Sequence, residues 1–406
     1  MQRIQVNNNR RSVGLLPVAL IFVAFLPNSF REIEIPIYII TGLASLYLSR
    51  GAVSLSSLVI LIPYVSIHGT GILRNIDVSP TPDYISNVSL AYLVGPIFWY
   101  IYSAALFQRV QPEVLVGILN TLAVAVASQI IIYFLLYDQI PDFVKEALIY
   151  EPNRTLMDGV AVVRLHSIGS MIFLSGFALQ SLPSKAGLRS AIAASCIWLL
   201  CGFAAVITGR TGLIAGASLS FIFVSTLRRK KHTWAGVILA SILFVGANSL
   251  GVLPDELNWK NIFDDHYDKI RSSGGEERPE QRAELMREFF ESPVLGKGHG
   301  LQTKVLRDGM KPWRYELFYE ATLYRVGLVG FIATVVPLFY SLYVLAVAVK
   351  RDPSNLWLSG ILGGYVAILV AGATNPYFEA IDFQWMIIMP LAVALRLKQF
   401  KPKQLA

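Results

Sequence analysis

Four arginines stand in sequence contexts where a permanent positive charge could bind a ligand. Arg164 lies in "VVRLHSIGS", Arg210 lies in "ITGRTG", and Arg282 and Arg287 lie in the charged stretch 279–300, "PEQRAELMREFFESPVLGKGHG". A guanidinium group is planar and always charged, and it can bind two phosphate oxygens at once. If the chain brings these side chains together, they predict a site for an anion such as phosphate.

Three groups near the arginines could accept a proton during catalysis. Glu316 and Glu320 lie in "RYELFYEATLYR", and His299 lies in "GKGHG". A positioned carboxylate or imidazole can act as a general base. We rank Glu316 first, Glu320 second and His299 third.

An acidic cluster, "FDDHYD", offers Asp264, Asp265, His266 and Asp268 as ligands for magnesium or manganese. Acidic loop clusters are common, and nothing in the sequence fixes the geometry of this one. We therefore interpret it as an exposed polar loop, and we expect no metal site and no cofactor.

The elements that position these residues are predicted to be membrane-spanning helices. The chain has 406 residues, of which 54% are hydrophobic and 15% are charged, whereas soluble domains carry about 25% charged residues. A spanning helix needs about 20 apolar residues. The sequence contains about 12 candidates, at 13–27, 35–49, 52–67, 88–107, 114–137, 161–180, 188–208, 211–227, 233–253, 320–348, 355–373 and 380–397.

Basic residues predict the orientation of these spans. Twelve spans place both termini on one side, where basic runs such as "RRKKH" at 228–232 occur. The short loops of the other side hold fewer basic residues: Arg31, Arg74, Lys145, Arg154 and Arg210. The positive-inside rule therefore predicts that both termini are cytoplasmic. This reading accounts for much of the +8 net charge without a nucleic-acid partner.

The spans divide the chain into three regions. Residues 1–253 hold nine spans, residues 254–319 form a long outer loop, and residues 320–406 hold three spans and a cytoplasmic tail. In the loop, Pro279 is placed to start a helix, and Pro293 with Gly296 is placed to end it. An apolar stripe at helical spacing makes this helix amphipathic: Leu285, Met286, Phe289 and Phe290. We expect it to lie over the bundle or along the membrane interface, although a solvated helix without a role has the same pattern.

Three stretches resemble the Wzy/WaaL superfamily, which comprises bacterial O-antigen polymerases and O-antigen ligases. "ITGRTGLIAGASLSF" is similar to the segment with Ser or Thr, Arg and Gly that opens a periplasmic-end helix in that family. "QRAELMREFFESPVLGKGHG" resembles the arginine, amphipathic helix and Pro-x-x-Gly-x-Gly pattern before the active-site turn, and "ELFYEATLYRVGLVGF" resembles the helix after it. Their order and common side, together with the span layout, extend the resemblance over the whole chain.

The resemblance implies a GT-C-like fold and a membrane glycosyltransferase whose donor is a glycan on undecaprenyl diphosphate. Arg210 and Arg282 match family arginines, and Arg164 resembles the arginine near the start of an earlier span. We expect Arg210 and Arg282 to act in catalysis with Glu316. We expect the substrate to contact these arginines and further residues as well: Arg164, Arg287, His299, Glu320 and Tyr315. Tyr315 could stack on a sugar, but aromatic residues are also common at membrane interfaces.

One departure bears on the type of enzyme. Ligases carry a His-Asn pair about eleven residues before the glycine that Gly327 matches, and this chain has Glu316 there. The departure favours a polymerase over an O-antigen ligase. A polysaccharide-lipid transporter or flippase is the other alternative, because twelve spans also suit a transporter, and a non-catalytic scaffold is a third.

The expected location is the bacterial inner membrane, with the active site facing the periplasm. The expected partners are an undecaprenyl-diphosphate-linked oligosaccharide and membrane lipids, with a chain-length-determining protein and a flippase as further candidates. No nucleic-acid partner is expected.

Overall fold

The computed structural model describes residues 14–27, 31–49, 59–78, 82–148, 155–157, 160–162, 165–181, 188–228, 277–306 and 315–399. Its α-helices are α1 (Leu15–Phe25), α2 (Arg31–Leu48), α3 (Leu61–Leu73), α4 (Pro82–Ser89), α5 (Gly95–Arg109), α6 (Pro112–Leu135), α7 (Asp142–Leu148), α8 (Ile168–Gln180), α9 (Leu188–Ile207), α10 (Thr211–Arg228), α11 (Glu277–Glu291), α12 (Phe318–Arg351), α13 (Leu356–Gly372) and α14 (Ile381–Gln399). A π-helical turn, Leu90–Val94, joins α4 to α5, and short 3-10 helices lie at Tyr137–Gln139 and Tyr377–Glu379.

The predicted all-α class is confirmed, apart from one short pair of strands among the described residues. Strand β1 (Thr155–Met157) pairs antiparallel with β2 (Val160–Val162). The predicted start of the sixth span, residue 161, is therefore wrong, since α8 begins at Ile168. Valine favours extended backbone, so the strand Val160–Val162 continues the hydropathy of the span without joining its helix.

Among the described residues, four helical segments are long and apolar enough to cross a membrane: Tyr84–Arg109, Pro112–Leu135, Thr211–Arg228 and Phe318–Arg351. Shorter apolar helices, including α1, α3, α8 and α13, accompany them. The helix at the third predicted span ends at Leu73 rather than at residue 67, and the span predicted at 233–253 lies outside the described residues. The chain thus has membrane-protein character, while the twelve-span topology and the GT-C-like architecture stay predictions.

Small residues let α8, α10 and α13 pack closely. A Cβ atom on Gly176 of α8 would lie 2.5 Å from the carbonyl oxygen of Gly363 in α13, and one on Gly216 of α10 would lie 2.6 Å from that of Ala367. Close backbone approach through small residues is a common way for helices to associate in membranes. This contact fixes where α10 begins relative to where α13 ends.

The start of α12, the end of α13 and the starts of α10 and α14 meet at what we call the loop end of the bundle. The hydroxyl of Tyr319 in α12 donates to the carbonyl oxygen of Leu369 in α13 at 3.2 Å. Gly212 at the start of α10 faces Thr374, just beyond α13. The Trp99 indole donates to the carbonyl oxygen of Ile381, where α14 begins, at 2.6 Å.

Basic residues gather at the opposite end, which we call the basic end. Arg228 ends α10, and its Nε donates to the carbonyl oxygen of Pro353 at 3.0 Å. Lys350 and Arg351 lie in the last turn of α12, and Arg109 ends α5. The membrane topology, including the assignment of the basic end to the cytoplasm, stays a prediction.

Helix α11 lies against the first turns of α12, where the sequence predicts an amphipathic helix. It begins at Glu277, slightly before Pro279. Leu285 is fully buried against Tyr315 and Ala321. Phe290, also assigned to the apolar stripe, is instead 70% exposed. The buried stripe is therefore narrower than the sequence suggests.

Candidate functional site

Arg210 sits at the loop end, just before α10. Gly209 has a φ of 60°, a left-handed conformation that glycine adopts easily and that turns the chain sharply between α9 and α10. Arg210 Nη1 donates to Asn375 Oδ1 at 3.4 Å, and Asn375 is buried in the connection 373–380 between α13 and α14. This long hydrogen bond uses one of the five N–H groups of the guanidinium, so Arg210 can bind an anion while Asn375 still holds its side chain.

Arg282 also lies at the loop end, on α11. Its Nε donates to Glu320 Oε1 at 2.8 Å, and its side chain is 59% exposed. One turn earlier, Arg278 Nε donates to Glu316 Oε2 at 2.5 Å. The sequence did not single out Arg278, because a charge at the start of a loop helix looks like a solvated residue.

We call the ion pairs of α11 and its surroundings the outer layer. It consists of Arg278–Glu316, Arg282–Glu320, Arg287–Glu284, Arg287–Glu288, Lys297–Glu288 and Lys297–Glu291. Both leading candidates for a base, Glu316 and Glu320, thus accept hydrogen bonds from guanidinium groups. A carboxylate held in this way must be released before it can take a proton from a substrate hydroxyl.

Arg287, a predicted substrate contact, is paired along its own helix. Its Nη2 lies 2.7 Å from Glu284 Oε1 and 2.7 Å from Glu288 Oε1. Hydrogen bonding to Glu284, together with its negative charge, raises the pKa of Arg287. Lys297 is held in the same way, since its hydrogen bond to Glu291 raises the pKa of the ammonium group and lowers that of the carboxyl. None of these contacts within the described ranges joins Arg287 to Arg210.

The loop 293–300 is hydrogen-bonded onto a kink in α12. Gly327 has a φ of 63°, which interrupts the helix. The loop and the kinked helix exchange backbone hydrogen bonds: Leu328 N to Pro293 O, Lys297 N to Tyr324 O and Gly298 N to Arg325 O, each 2.8 Å long. The backbone groups that the kink frees from the helix are therefore satisfied by the loop.

The glycines of this loop serve contacts within the protein. Gly296 and Gly298 have φ values of 66° and 90°. A Cβ atom on Gly296 would lie 2.5 Å from the Arg325 carbonyl carbon, and one on Gly327 would lie 2.3 Å from the Val294 carbonyl oxygen. The sequence analysis assigned Gly296, with Pro293, only to ending the amphipathic helix. In the structure, these glycines let two backbone segments touch.

Beneath the loop lies a buried cluster that we call the inner layer: Arg325, Glu379, Tyr92, His68 and His299. Arg325 Nη1 lies 2.6 Å from Glu379 Oε1 and donates to the Tyr92 hydroxyl at 2.7 Å. The side chains of Arg325 and Glu379 are 5% and 6% exposed. A buried charge is costly unless it is paired, so these two residues must be placed together.

His299 belongs to the inner layer and is 1% exposed. Its Nε2 lies 2.9 Å from His68 Nδ1, and its backbone N–H donates to the Gly71 carbonyl oxygen at 2.9 Å. Burial lowers the pKa of His299 well below its ordinary value, and the nearby His68 and Arg325 lower it further. His299 is thus neutral and packed inside the protein, whereas the sequence analysis ranked it third among the candidate bases and expected it to contact the substrate.

Tyr315, predicted as a sugar contact, is completely buried. Its hydroxyl accepts a hydrogen bond from Thr303 N at 3.0 Å, and Arg325 Cζ lies 5.3 Å from the centre of its ring. Burial raises the pKa of this hydroxyl. Because neither face of the ring is open, the structure assigns Tyr315 to packing beneath α11 instead of sugar stacking.

Of the five residues of the inner layer, the sequence analysis placed only His299 among the candidate site residues. A signal was present, because an arginine within an apolar helix requires a buried partner, and Glu379 lies between the two last predicted spans. The π-helical turn that carries Tyr92 could not be read from hydropathy, since it changes only the local spacing of side chains.

Several predicted residues lie outside the described part of the chain. Arg164 and the acidic cluster Asp264, Asp265, His266 and Asp268 are among them. Within the described ranges, no group of three or more His, Cys, Asp or Glu side chains could hold a metal ion.

An apolar groove lies between α3, α5, α12 and α14. Phe318 and Phe378 line it toward the loop end, and Leu391 lines it deeper in the bundle. Neither Arg210 nor Arg282 lines this groove. The two arginines share the loop end, but the contacts that hold them belong to different elements.

We compared the chain with models of known protein families and with curated proteins, and neither comparison gave a match.

Proposed function

We propose that this protein is a membrane glycosyltransferase of the polymerase type. It joins oligosaccharide repeat units carried on undecaprenyl diphosphate into O-antigen or a related surface polysaccharide, and it transfers the growing chain to a new lipid-linked unit. In this proposal the protein lies in a bacterial inner membrane, the basic end and both termini face the cytoplasm, and the loop end faces the periplasm.

The observation that carries the proposal is the pair of accessible arginines at the loop end. Arg210 is half-buried and is held by one long hydrogen bond to Asn375, and Arg282 is more than half exposed, with a carboxylate partner that an anion could replace. Arginine is disfavoured on the outer side of a membrane, so its presence there requires a reason. A lipid diphosphate at the outer surface supplies one, because two guanidinium groups can bind its oxygens.

The reaction needs these charges in its transition state. The bond between the sugar C1 and the diphosphate oxygen breaks, and its electron pair moves to that oxygen. Fixed guanidinium groups stabilise this developing charge more than they stabilise the bound donor. The acceptor hydroxyl forms the new bond to C1, and its proton passes to a carboxylate, for which Glu316 and Glu320 are the candidates.

The outer layer offers a link between the two halves of this reaction. When the diphosphate binds Arg282, it competes with Glu320 for the same guanidinium group. The released Glu320 carboxylate is then free to accept a proton. Glu316 stays paired with Arg278 in this scheme, which favours Glu320 as the base that donor binding makes available.

The polymerase reading is preferred over an O-antigen ligase because the ligase histidine has no counterpart at Glu316. His299 does not replace it, since its side chain is buried against His68. A flippase is less suited, because the accessible charges of the described residues gather at the bundle ends rather than along a path through it.

The proposal can be tested by complementing a bacterial strain that lacks this gene. Wild-type protein, Arg210→Ala, Arg282→Ala and the control Arg351→Ala are expressed at equal membrane levels, and the surface polysaccharide is separated on a gel. Arg351 is an exposed arginine at the basic end. We expect the long-chain ladder to disappear in the first two variants and to remain in the control. An intact ladder in both variants would refute the proposed site.

The strain that lacks this gene, without any complementing protein, distinguishes the alternatives. Without a polymerase, lipopolysaccharide carries single repeat units. Without a ligase it carries none, and glycan accumulates on undecaprenyl diphosphate at the outer surface. Without a flippase, the lipid-linked units stay on the cytoplasmic side. An unchanged pattern in the empty strain would contradict all three.

A further inference from the structure

We infer that the buried Arg325–Glu379 ion pair is a positioning device that holds Arg210 at its place in the diphosphate site. This inference rests on the proposed function, because it assigns Arg210 to that site. Neither residue of the pair contacts the substrate in this scheme, since both are almost completely buried.

The pair joins two elements by more than one bond. Arg325 Nη1 lies 2.6 Å from Glu379 Oε1, and Nη2 donates to Glu379 Oε2 at 3.4 Å. The Tyr92 hydroxyl accepts a further hydrogen bond from Arg325 Nη1 at 2.7 Å. A guanidinium group with both carboxylate oxygens in reach sets orientation as well as distance. Glu379, and the turn that carries it, is therefore fixed relative to α12.

The turn that carries Glu379 also carries the partner of Arg210. Glu379 ends the 3-10 helix Tyr377–Glu379, whose first N–H donates to the Asn375 carbonyl oxygen at 2.9 Å. The Glu379 N–H donates to the Pro376 carbonyl oxygen at 3.1 Å. These bonds make the segment from Asn375 to Glu379 one compact turn. A shift of Glu379 must therefore move Asn375, the hydrogen-bond acceptor of Arg210.

The same helix, α12, positions the second arginine. Glu320 precedes Arg325 by about one and a half helical turns on α12, and it accepts a hydrogen bond from Arg282. The Arg325 carbonyl oxygen also accepts the hydrogen bond from Gly298 that anchors the loop after α11. Arg325 thus lies between the environment of Arg282 and the turn that holds Arg210. Its pairing with Glu379 sets the separation of the two arginines that the diphosphate must bridge.

An ion pair suits this role better than an apolar contact. Replacing a buried pair by apolar side chains is often neutral for stability, so stability alone does not explain it. A buried charge tolerates only an arrangement that keeps its partner in place. The pair therefore favours one position of the turn over alternatives in which Asn375 has moved.

The test uses the purified full-length protein in lipid nanodiscs and farnesyl diphosphate as the probe. Dissociation constants are measured for wild type, Arg210→Ala, Glu379→Gln and Glu379→Asp. Arg228→Met is the matched control. Arg228 is also a buried arginine, but it lies at the basic end of the bundle, away from the proposed site. Hydrogen exchange of residues 373–380 is measured on the same samples, so that the position of the turn is followed independently of binding.

We expect Glu379→Gln to weaken diphosphate binding about tenfold, a loss similar to that of Arg210→Ala, since one charge-assisted contact is misplaced. Exchange in 373–380 should accelerate in the same variant. Glu379→Asp keeps the charge and should recover most of the affinity. Arg228→Met should bind the probe as wild type does, although it also removes a buried arginine.

The proposed diphosphate site and the positioning role of the Arg325–Glu379 pair can be refuted separately. If wild-type protein does not bind the probe, or if Arg210→Ala binds it normally, the proposed diphosphate site is wrong. If Arg210→Ala weakens binding but Glu379→Gln does not, the site stands and the positioning role is wrong. Equal losses in Glu379→Gln and Arg228→Met also overturn the positioning role, because they show a general loss of structure. If Glu379→Gln does not fold, Glu379→Asp provides the test. Faster exchange of 373–380 with normal probe binding in Glu379→Asp would contradict the inference, because the turn would have moved without affecting the site.

Discussion

The outer and inner layers of the loop end use the same chemical groups in opposite ways. In the outer layer, Arg282 is 59% exposed and meets Glu320 in contact with solvent. In the inner layer, Arg325 is 5% exposed and meets Glu379 away from solvent. Exposed pairs contribute little to stability and exchange partners easily, whereas a buried charge is tolerated only with its partner.

This difference shows where ligand binding and where structural roles are to be expected. A guanidinium group of the outer layer can leave its carboxylate for a phosphate, because water and other charges share the cost. Arg325 cannot leave Glu379 without becoming an unpaired buried charge. Charge alone therefore does not identify the site, and access to the charge must be considered as well.

The largest effect on stability is expected when one partner of the buried Arg325–Glu379 pair is removed. Arg325→Met leaves Glu379 buried without its partner and should lower the free energy of unfolding by about 3–5 kcal/mol. The double variant Arg325→Met with Glu379→Leu should regain most of this loss, because no charge is left unpaired. Thermal unfolding in detergent measures both, with Arg351→Met at the exposed basic end as control. If the single variant is as stable as that control, the contrast between the layers is wrong.

The next largest effect is expected at the kink that joins the layers. Gly327→Ala places a side chain at a φ of 63°, which costs about 1–2 kcal/mol for a residue other than glycine. The added Cβ would also lie 2.3 Å from the Val294 carbonyl oxygen, so the loop 293–300 must move. Faster hydrogen exchange in this loop measures the effect.

Gly117→Ala provides the control for that experiment. Gly117 lies within α6, and a Cβ atom there would meet nothing within 4 Å. Alanine favours helix over glycine, so this variant should be as stable as wild type or slightly more stable. If both variants leave the loop unchanged, the kink does not depend on glycine.

Much of the helical framework could be predicted from the sequence, because long apolar runs require helices in a membrane. The helix at α12 is an example, since the sequence predicts 320–348 and the structure gives Phe318–Arg351. Hydropathy could not distinguish the strand Val160–Val162 from the helix that follows it. It also could not reveal the π-helical turn Leu90–Val94, which is as apolar as its neighbours.

The candidate site was less predictable, because residue type does not give access. Arg210 and Arg282 were singled out by charge, and the structure places both at the loop end. Tyr315 and His299 were singled out by type as well, but the fold buries them. The burial of His299 arises from the docking of the loop onto the α12 kink, and that of Tyr315 from the packing of α11. Both are contacts between segments that no local pattern of sequence contains.

A smaller effect, dependent on pH, is expected at His299. Burial lowers the pKa of His299 in the folded protein. At a pH below the ordinary histidine pKa of about 6.5, the unfolded chain therefore binds more protons than the folded protein does. Stability should therefore fall as the pH is lowered through that value, by about 1.4 kcal/mol per pH unit for one imidazole. His299→Gln should reduce this slope. Thermal unfolding at pH 7.5 and pH 5.5 measures it, and an unchanged slope in the variant would show that other groups, such as the adjacent His68, cause the pH dependence.

The smallest effect is expected in the outer layer, at Arg287. Its partners Glu284 and Glu288 lie on the same helix, and Lys297 remains beside Glu288 when Arg287 is removed. The guanidinium group stays charged throughout the working pH range, because hydrogen bonding to Glu284 raises its pKa. Arg287→Ala should therefore unfold at the same temperature as wild type, and added salt should not separate the two, since exposed pairs are screened and bring little net stability. A loss approaching that of Arg325→Met would mean that the outer layer is part of the folded core, and Arg282 could then not exchange Glu320 for a phosphate at low cost.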